Sequence, residues 1–239
     1  MKIDVKGKVE SAYLEAPFDE AKNELESNKY RIISLEENAN LRMQEGKDAF
    51  ISRNGNWTRE GVIYLPSNKI YLTKNSPIMA DAKKATDCHS KGSEFYINEN
   101  QIEEAKKDAV KFTKNDNYSI PTDKFGDDEI TAFAFGKIAK DYGNFLKDAG
   151  IKEMPVYLAN CEKKPFARQM WFRGLGDNSE LGGSGRLLDC SCRARGVREV
   201  SAEGAAQKIQ TYTLNDISKA LKEANLSGIE KVLLEKLKK

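Results

Sequence analysis

Between Pro165 and Gln207 the chain contains no lysine, although 29 of its 39 basic residues are lysines. Six of its ten arginines fall in that stretch: Arg168, Arg173, Arg186, Arg193, Arg195 and Arg198. So do Gly174, Gly176, Gly182, Gly183, Gly185 and Gly196. Apolar residues there follow neither a helical nor a strand period, so the segment is not one amphipathic element. It reads as short pieces of strand separated by glycine turns. Such a segment needs a frame, and the rest of the chain must supply it.

The chain is long enough to do so. A protein of 239 residues buries roughly 70–75% of its unfolded surface and needs neither disulfide nor metal to hold a core. With 39% hydrophobic and 32% charged residues it is a globular composition, not a disordered one. A net charge of +2 excludes a polycation built for non-specific nucleic-acid binding. No apolar run approaches the roughly 18 residues of a membrane span. Residues 1–8 alternate charged and apolar side chains and lack the apolar centre of a signal peptide. A cytoplasmic location is the default expectation, with display on a particle or surface as the alternative.

Periodicity predicts the frame. Residues 2–10 read as a strand, and 18–27 as a helix with Phe18, Ala21 and Leu25 on one face. Ser34 and Glu37 match a capping box that opens a helix to about Gln44. Residues 49–53 and 61–65 read as strands, the second paired with 69–73 in a hairpin. Residues 75–92 read as irregular, 101–112 as a helix, and 115–126 as a polar loop. The strongest helix prediction is 128–149, closed by Gly150. Residues 154–159 read as a buried strand, and Leu187-Leu188 and Val197 as short strands in the glycine-rich part. Leu214, Ile217 and Leu221, then Ile229, Leu233 and Leu237, predict a helical tail. The simplest organisation is one α+β domain over residues 1–210 with a helical tail over 211–239.

Familiar chemistry is hard to place. The glycines of 174–185 are followed by Arg186-Leu187-Leu188, not by the Lys-Ser or Lys-Thr and helix of a phosphate-binding loop. Cys88-His89 with Cys190-x-Cys192 lacks the paired spacing of a zinc site. The bland reading is reduced cysteines on an exposed loop and a surface His89, the only histidine. The acidic run Asp127, Asp128 and Glu129 is explained by the helix it opens. No metal and no cofactor is expected.

The order Ala167-Arg-Gln-Met-Trp-Phe-x-x-Leu175, Ser179-x-Leu181-x-Gly183, Leu188 and Arg195-Gly-Val197 resembles the variable regions of diversity-generating retroelement target proteins. The likeness extends to members of archaeal and small-genome bacterial type. It implies a C-type lectin-like α+β fold with short antiparallel strands, helices and long ordered loops. It also implies a ligand-binding surface, often for proteins, whose codons a reverse transcriptase rewrites at adenines. The composition agrees: a codon ending in C or T cannot encode Lys, Gln, Glu, Met or Trp. Between Arg173 and Arg198 only Glu180 departs from that rule.

The resemblance implies a variable segment of about 168–198. Its displayed positions would be Arg173, Gly174, Asp177, Asn178, Gly182, Ser184, Gly185, Leu187, Asp189, Cys190, Ser191 and Cys192. Its scaffold positions would be Trp171, Leu175, Leu181, Leu188 and Val197, with Trp171 buried. The expected function is binding without catalysis, to an unknown protein or surface ligand, with no specific nucleic acid and no membrane. The displayed residues are poor in aromatics, which predicts a weak binder. The alternative is an enzyme or anion-binding module in which Arg186, Arg195 or Arg198 grips an anionic group. The calcium-lectin triplets Glu-Pro-Asn and Trp-Asn-Asp are absent, so the fold implies no calcium or sugar site.

Overall fold

The computed structural model describes residues 1–6, 9–161, 163–177 and 179–199. The predicted helical tail lies outside the described residues. In chain order the elements are β1 (Lys2–Lys6), β2 (Val9–Glu15), α1 (Phe18–Ser27), β3 (Arg31–Ile32), α2 (Leu35–Glu45) and α3 (Phe50–Arg53). There follow β4 (Asn56–Leu65), β5 (Lys69–Thr73), α4 (Pro77–Ala80), α5 (Ala82–Ser90), β6 (Phe95–Tyr96), α6 (Glu99–Lys106), β7 (Ala109–Lys111) and β8 (Tyr118–Pro121). The last are α7 (Glu129–Phe135), α8 (Ala139–Asp148), β9 (Glu153–Tyr157), β10 (Phe166–Phe172), β11 (Leu181–Gly182) and β12 (Arg193–Glu199).

Among the described residues the strands join into one sheet, with the path β1-β2-β12-β4-β10-β11-β9-β8. Strand β2 pairs antiparallel with β12 along its whole length, from Val9 opposite Glu199 to Glu15 opposite Arg193. The glycine-rich segment therefore leaves the sheet at β10 and returns to it at β12. Both of its ends are fixed in buried strands.

Local chemistry accounts for most elements. Ser34 and Glu37 form the predicted capping box of α2, and Asn98 and Gln101 form another for α6. The 61–65/69–73 hairpin is present, with Gly61 opposite Thr73 and Leu65 opposite Lys69. Several expectations fail for identifiable reasons. Residues 50–53 form a short helix, not a strand, closed by the Asn54 amide donating to the Phe50 carbonyl at 2.8 Å. The stretch expected to be irregular holds α4 and α5. Pro77 starts the first, and Ala82, Ala85, Thr86 and His89 bury one face of the second, a stripe too small-sided to register as apolar.

The helix predicted over 101–112 stops at Lys106, and Ala109–Lys111 pairs with β5 instead. The predicted polar loop contains β8, paired with β9. The long helix predicted over 128–149 is two helices. Gly136 has φ +56°, outside the helical region, and a 3-10 turn (Gly136–Ile138) re-aims the chain into α8. Leu187 and Leu188 lie in a loop, not in a strand.

Two large clusters of buried residues hold the unit. One packs α2, α7 and α8 on the sheet through Leu35, Ile130, Tyr142, Leu146, Met154 and Phe172. The other packs α1 and α5 through Phe18, Leu25, Trp57, Ile78 and Ala85. Strands β4 and β10 contribute to both. Their register shifts between Gln169 and Trp171: Gln169 pairs with Gly61 but Trp171 with Trp57, so β4 carries a bulge over Thr58, Arg59 and Glu60. The Gln169 amide clamps that bulge by donating to the carbonyls of Thr58 and Glu60, while its oxygen accepts from the Ser76 hydroxyl at 3.0 Å.

Candidate functional site

From β10 onward, the frame holds the glycine-rich segment mainly by its backbone. Arg42 of α2 is fully buried and donates to the Tyr142 and Ser179 hydroxyls, each at 3.1 Å. Its guanidinium lies 3.9 Å above the Phe172 ring centre, a cation–π contact. Ser179 sits there at φ +54°, completely buried. Tyr64 donates to the Gly183 carbonyl at 2.8 Å, and Gly183 N–H donates to the Tyr157 carbonyl at 2.8 Å. Arg168 donates to the Ser184 carbonyl and forms a two-armed ion pair with Glu94, 2.6 and 3.2 Å. Further on, Phe18 N–H donates to the Leu188 carbonyl at 2.7 Å and Ala16 N–H to the Cys192 carbonyl at 3.2 Å.

Between these tethers lies a pocket of about 470 Å³ lined by Trp57, Trp171, Arg173, Glu180, Gly182, Ser184, Gly185, Leu187 and Cys192. Its volume falls in the range of small-ligand sites. Six lining residues are among the predicted displayed set: Arg173, Gly182, Ser184, Gly185, Leu187 and Cys192. Its wall comes from the frame, where Trp57 and Trp171 meet edge to face with ring centres 4.9 Å apart. At the rim the Arg173 guanidinium pairs with the Glu180 carboxylate at 3.1 Å.

The remaining displayed candidates are placed as follows. Asp189 and Ser191 are exposed and Cys190 is half-buried. The side chain of Asp177 and all of Asn178 lie outside the described residues. Gly174 does not belong on a displayed face: it is buried, and a Cβ there would sit 2.3 Å from the Arg53 carbonyl oxygen. Gly182 is also buried, as a strand residue, yet it borders the pocket. Of the scaffold candidates, Leu181, Leu188 and Val197 are buried and Leu175 packs half-buried on the first cluster. Trp171 is half-buried, not buried, because one side of it faces the pocket.

Trp57 and Glu180 are lining residues that sequence reasoning missed. Glu180 departs from the codon rule and so falls outside the displayed set. Trp57 lies more than a hundred residues from the segment, and only its register against Trp171 brings it there. The displayed side chains are indeed poor in aromatics, but the frame provides two.

The arginines are occupied. Arg195 is buried and donates to the Ser11 hydroxyl at 2.8 Å. Arg198 pairs with Glu10 at 3.1 Å and Arg193 with Glu15. Arg186 donates to the Gly92 carbonyl at 3.0 Å and approaches Glu94 at 3.5 Å. The three arginines proposed to grip an anion thus each have a polar partner within the fold.

Two further expectations are corrected. His89 is not a surface residue: it is 5% exposed, and neither ring nitrogen has a hydrogen-bond partner among the described residues. Burial pushes its pKa down to about 4, with Glu94 and Asp189 opposing and Arg168 and Arg186 reinforcing. Cys190 and Cys192 are not separate thiols: they are joined as a disulfide across Ser191, their Cα atoms 5.2 Å apart, within bridging range. Among the described residues no three His, Cys, Asp or Glu side chains gather as a metal site, and no helix is long and apolar enough to cross a membrane.

No family model matches the chain, and no curated protein does. Among solved structures it is similar to one described as the accommodation of massive sequence variation in Nanoarchaeota by the C-type lectin fold. The TM-score is 0.60 at 11% identity, over 80% of this chain and 97% of that one. With β2 paired to β12, its flanking helices and a long glycine-rich excursion between β10 and β12, the chain has the C-type lectin fold.

Proposed function

We propose that this protein is a ligand-binding display protein, directed chiefly at protein ligands, whose segment 168–198 is diversified by a retroelement's reverse transcriptase. In this reading it binds without catalysis and without a cofactor, from one domain over residues 1–210, with 211–239 as a separate tail.

The observation that carries the reading is the way the segment is held. Tyr64, Arg168, Phe18 and Ala16 all grip main-chain carbonyls of residues 183–192. A backbone held by its carbonyls tolerates changes in the side chains it displays. Pre-ordering the loop also removes much of the ordering cost from binding, whatever residues are shown. Support comes as well from the codon pattern and from a protein of the same fold that is described as accommodating massive sequence variation. The anion-binding alternative is weakened because its arginines are engaged within the fold.

The test is to sequence the gene's neighbourhood and several close strains. A nearby reverse-transcriptase gene and a near-repeat of codons 168–197 differing at adenines is the expected result. Strains with an invariant segment and no such repeat would overturn the reading.

A further inference from the structure

The chain has two tryptophans, and both stand in the wall of the pocket. Their placement follows from register. Gly182 of β11 pairs with Trp171 of β10, Trp171 pairs with Trp57 of β4, and Trp57 pairs with Ala194 of β12. Directly paired residues share one face of a sheet. A row therefore crosses four strands in the order glycine, tryptophan, tryptophan, alanine. The Trp171 indole lies against the backbone at Gly55, where an added Cβ would come within 2.7 Å of the ring. On the neighbouring strand Gly182 has no side chain to cover it. A Cβ at Gly182 would make only ordinary contacts, 3.4 Å from the Glu180 carboxylate and from the Trp171 Cβ, so the glycine there is not a packing necessity.

We infer that this notch at Gly182, walled by the two tryptophans, is a socket for one aromatic side chain with a polar tip, tyrosine foremost, projecting from the partner protein. The inference rests on the display-protein reading and says what all its ligands would share. The two tryptophans of its wall lie outside the displayed positions, so the aromatic wall persists when residues 184–192 change, and Arg173, Gly182 and those residues then tune the rim.

Two features fit a polar-tipped ring. Aromatic rings stack on the pocket-facing side of the half-buried Trp171 indole at offset or edge-on geometry, which aliphatic groups cannot do. The polar groups at the rim suit a phenol: the Arg173–Glu180 pair offers both a donor and an acceptor. Aromatic knobs in preformed pockets are also the usual anchors of protein interfaces.

The experiment uses the whole chain labelled with ¹⁵N, in which two indole N–H signals report directly on the wall. N-acetyltyrosinamide is titrated, with N-acetylleucinamide as the aliphatic control. The expected result is a saturable shift of both indole signals, with the tyrosine probe binding at least fivefold more tightly than the leucine probe. Equal binding of the two, or no saturable shift at probe solubility, overturns the socket.

Gly182→Leu gives a second readout. It fills the notch and should abolish the tyrosine-induced shifts while the remaining amide spectrum stays folded. Retained binding in that folded variant also overturns the socket. Failure here is distinct from failure of the display reading. A partner protein whose affinity follows changes at Leu187 or Ser191 but ignores Gly182→Leu would remove the socket and leave the display reading standing.

Discussion

Residues 193–198 of strand β12 and the loop before them, residues 184–192, draw on the same restricted residue set, yet the fold treats them in opposite ways. In β12, Arg195 is buried against Ser11, Arg198 is locked to Glu10, and Gly196 packs so closely on Tyr30 that a Cβ would meet its side chain at 2.8 Å. In the loop, Arg186 is nearly half exposed, Leu187 is 57% exposed, and a Cβ at Gly185 would meet nothing within 4 Å. Identical residue types are ties in one place and display in the other. The difference lies in which backbone groups are already satisfied. The loop hangs from main-chain tethers, with Leu188 buried and the Cys190–Cys192 disulfide as its side-chain anchors, so its exposed side chains carry little structural duty, whereas β12 must fill a sheet on both faces.

The sharpest way to break that contrast is to cut a tie. Arg42 fills a buried volume between Tyr142, Ser179 and Phe172. Arg42→Ala leaves a cavity and strips two hydroxyls of a donor, which should destabilise the fold by about 3–5 kcal/mol. Arg186→Ala, removing a half-exposed ion pair, should cost less than about 1 kcal/mol. Urea unfolding of the two variants checks the pair. Similar losses in both would erase the distinction between tie and display.

A second contrast sets two buried titratable groups against each other. Glu60, 1% exposed in the β4 bulge, accepts from Leu35 N–H at 3.0 Å, and burial pushes its pKa up to about 7. The folded state then binds this proton more tightly than the unfolded state. Its contribution to stability is full below about pH 4.5 and is lost as pH rises through 7. His89, pushed down to about 4, has the opposite slope: its contribution is full above about pH 6.5 and is lost as pH falls through 4. Each spans up to about 3 kcal/mol, so in the wild type the two slopes offset each other between pH 4.5 and 6.5. Glu60→Gln, which keeps the acceptor, should uncover a rise in stability from pH 4 to 6.5. His89→Leu should uncover a fall from pH 4.5 to 7. Denaturant midpoints at four pH values decide, and unchanged profiles in both variants would refute the opposed pair.

How much of this was legible in the sequence follows the same divide. Elements fixed by local chemistry were readable: the Ser34 capping box, the 61–65/69–73 hairpin, and the helix over 18–27. The glycine-rich segment announced itself by composition alone. What could not be read depended on long-range register. Trp57 becomes part of the site only because β4 bulges at Thr58, Arg59 and Glu60, and nothing near residue 57 signals a partner at residue 171. His89 is buried by the tertiary docking of a helix whose inner face is mostly alanine and threonine, which carries little periodic signal. Gly174 and Gly185 look alike in sequence, and only the carbonyl of Arg53 separates them.

Those glycines sharpen the comparison at smaller magnitude. Gly174→Ala drives a Cβ into a backbone carbonyl that cannot move aside, and Gly183→Ala drives one to within 2.9 Å of Val62 and 3.0 Å of the Tyr64 hydroxyl. Each should cost about 1–3 kcal/mol as an overpacking change. Gly176→Ala and Gly185→Ala meet open space and should change stability by no more than about 0.5 kcal/mol. Thermal unfolding of the four alanine variants should split them two and two. A loss at Gly185 as large as that at Gly174 would mean the loop is packed, not displayed.

The smallest expected stability effects carry the most functional weight. Leu187→Asp and Ser191→Tyr replace exposed side chains on a loop whose carbonyls are held by Phe18 and Ala16 N–H groups. Neither substitution touches a tether, so each should leave unfolding free energy within about 0.5 kcal/mol of the wild type. Against a protein ligand selected on the wild type, the same two changes should alter affinity at least tenfold, since side chains around a pocket decide which partner fits. Stability and affinity are then uncoupled at these positions and coupled at Arg42, where loss of the tie should lower both. Stability that tracked affinity at Leu187 and Ser191 would mean that the loop's side chains, not its main-chain tethers, hold its shape. A segment built that way could not absorb changes of sequence.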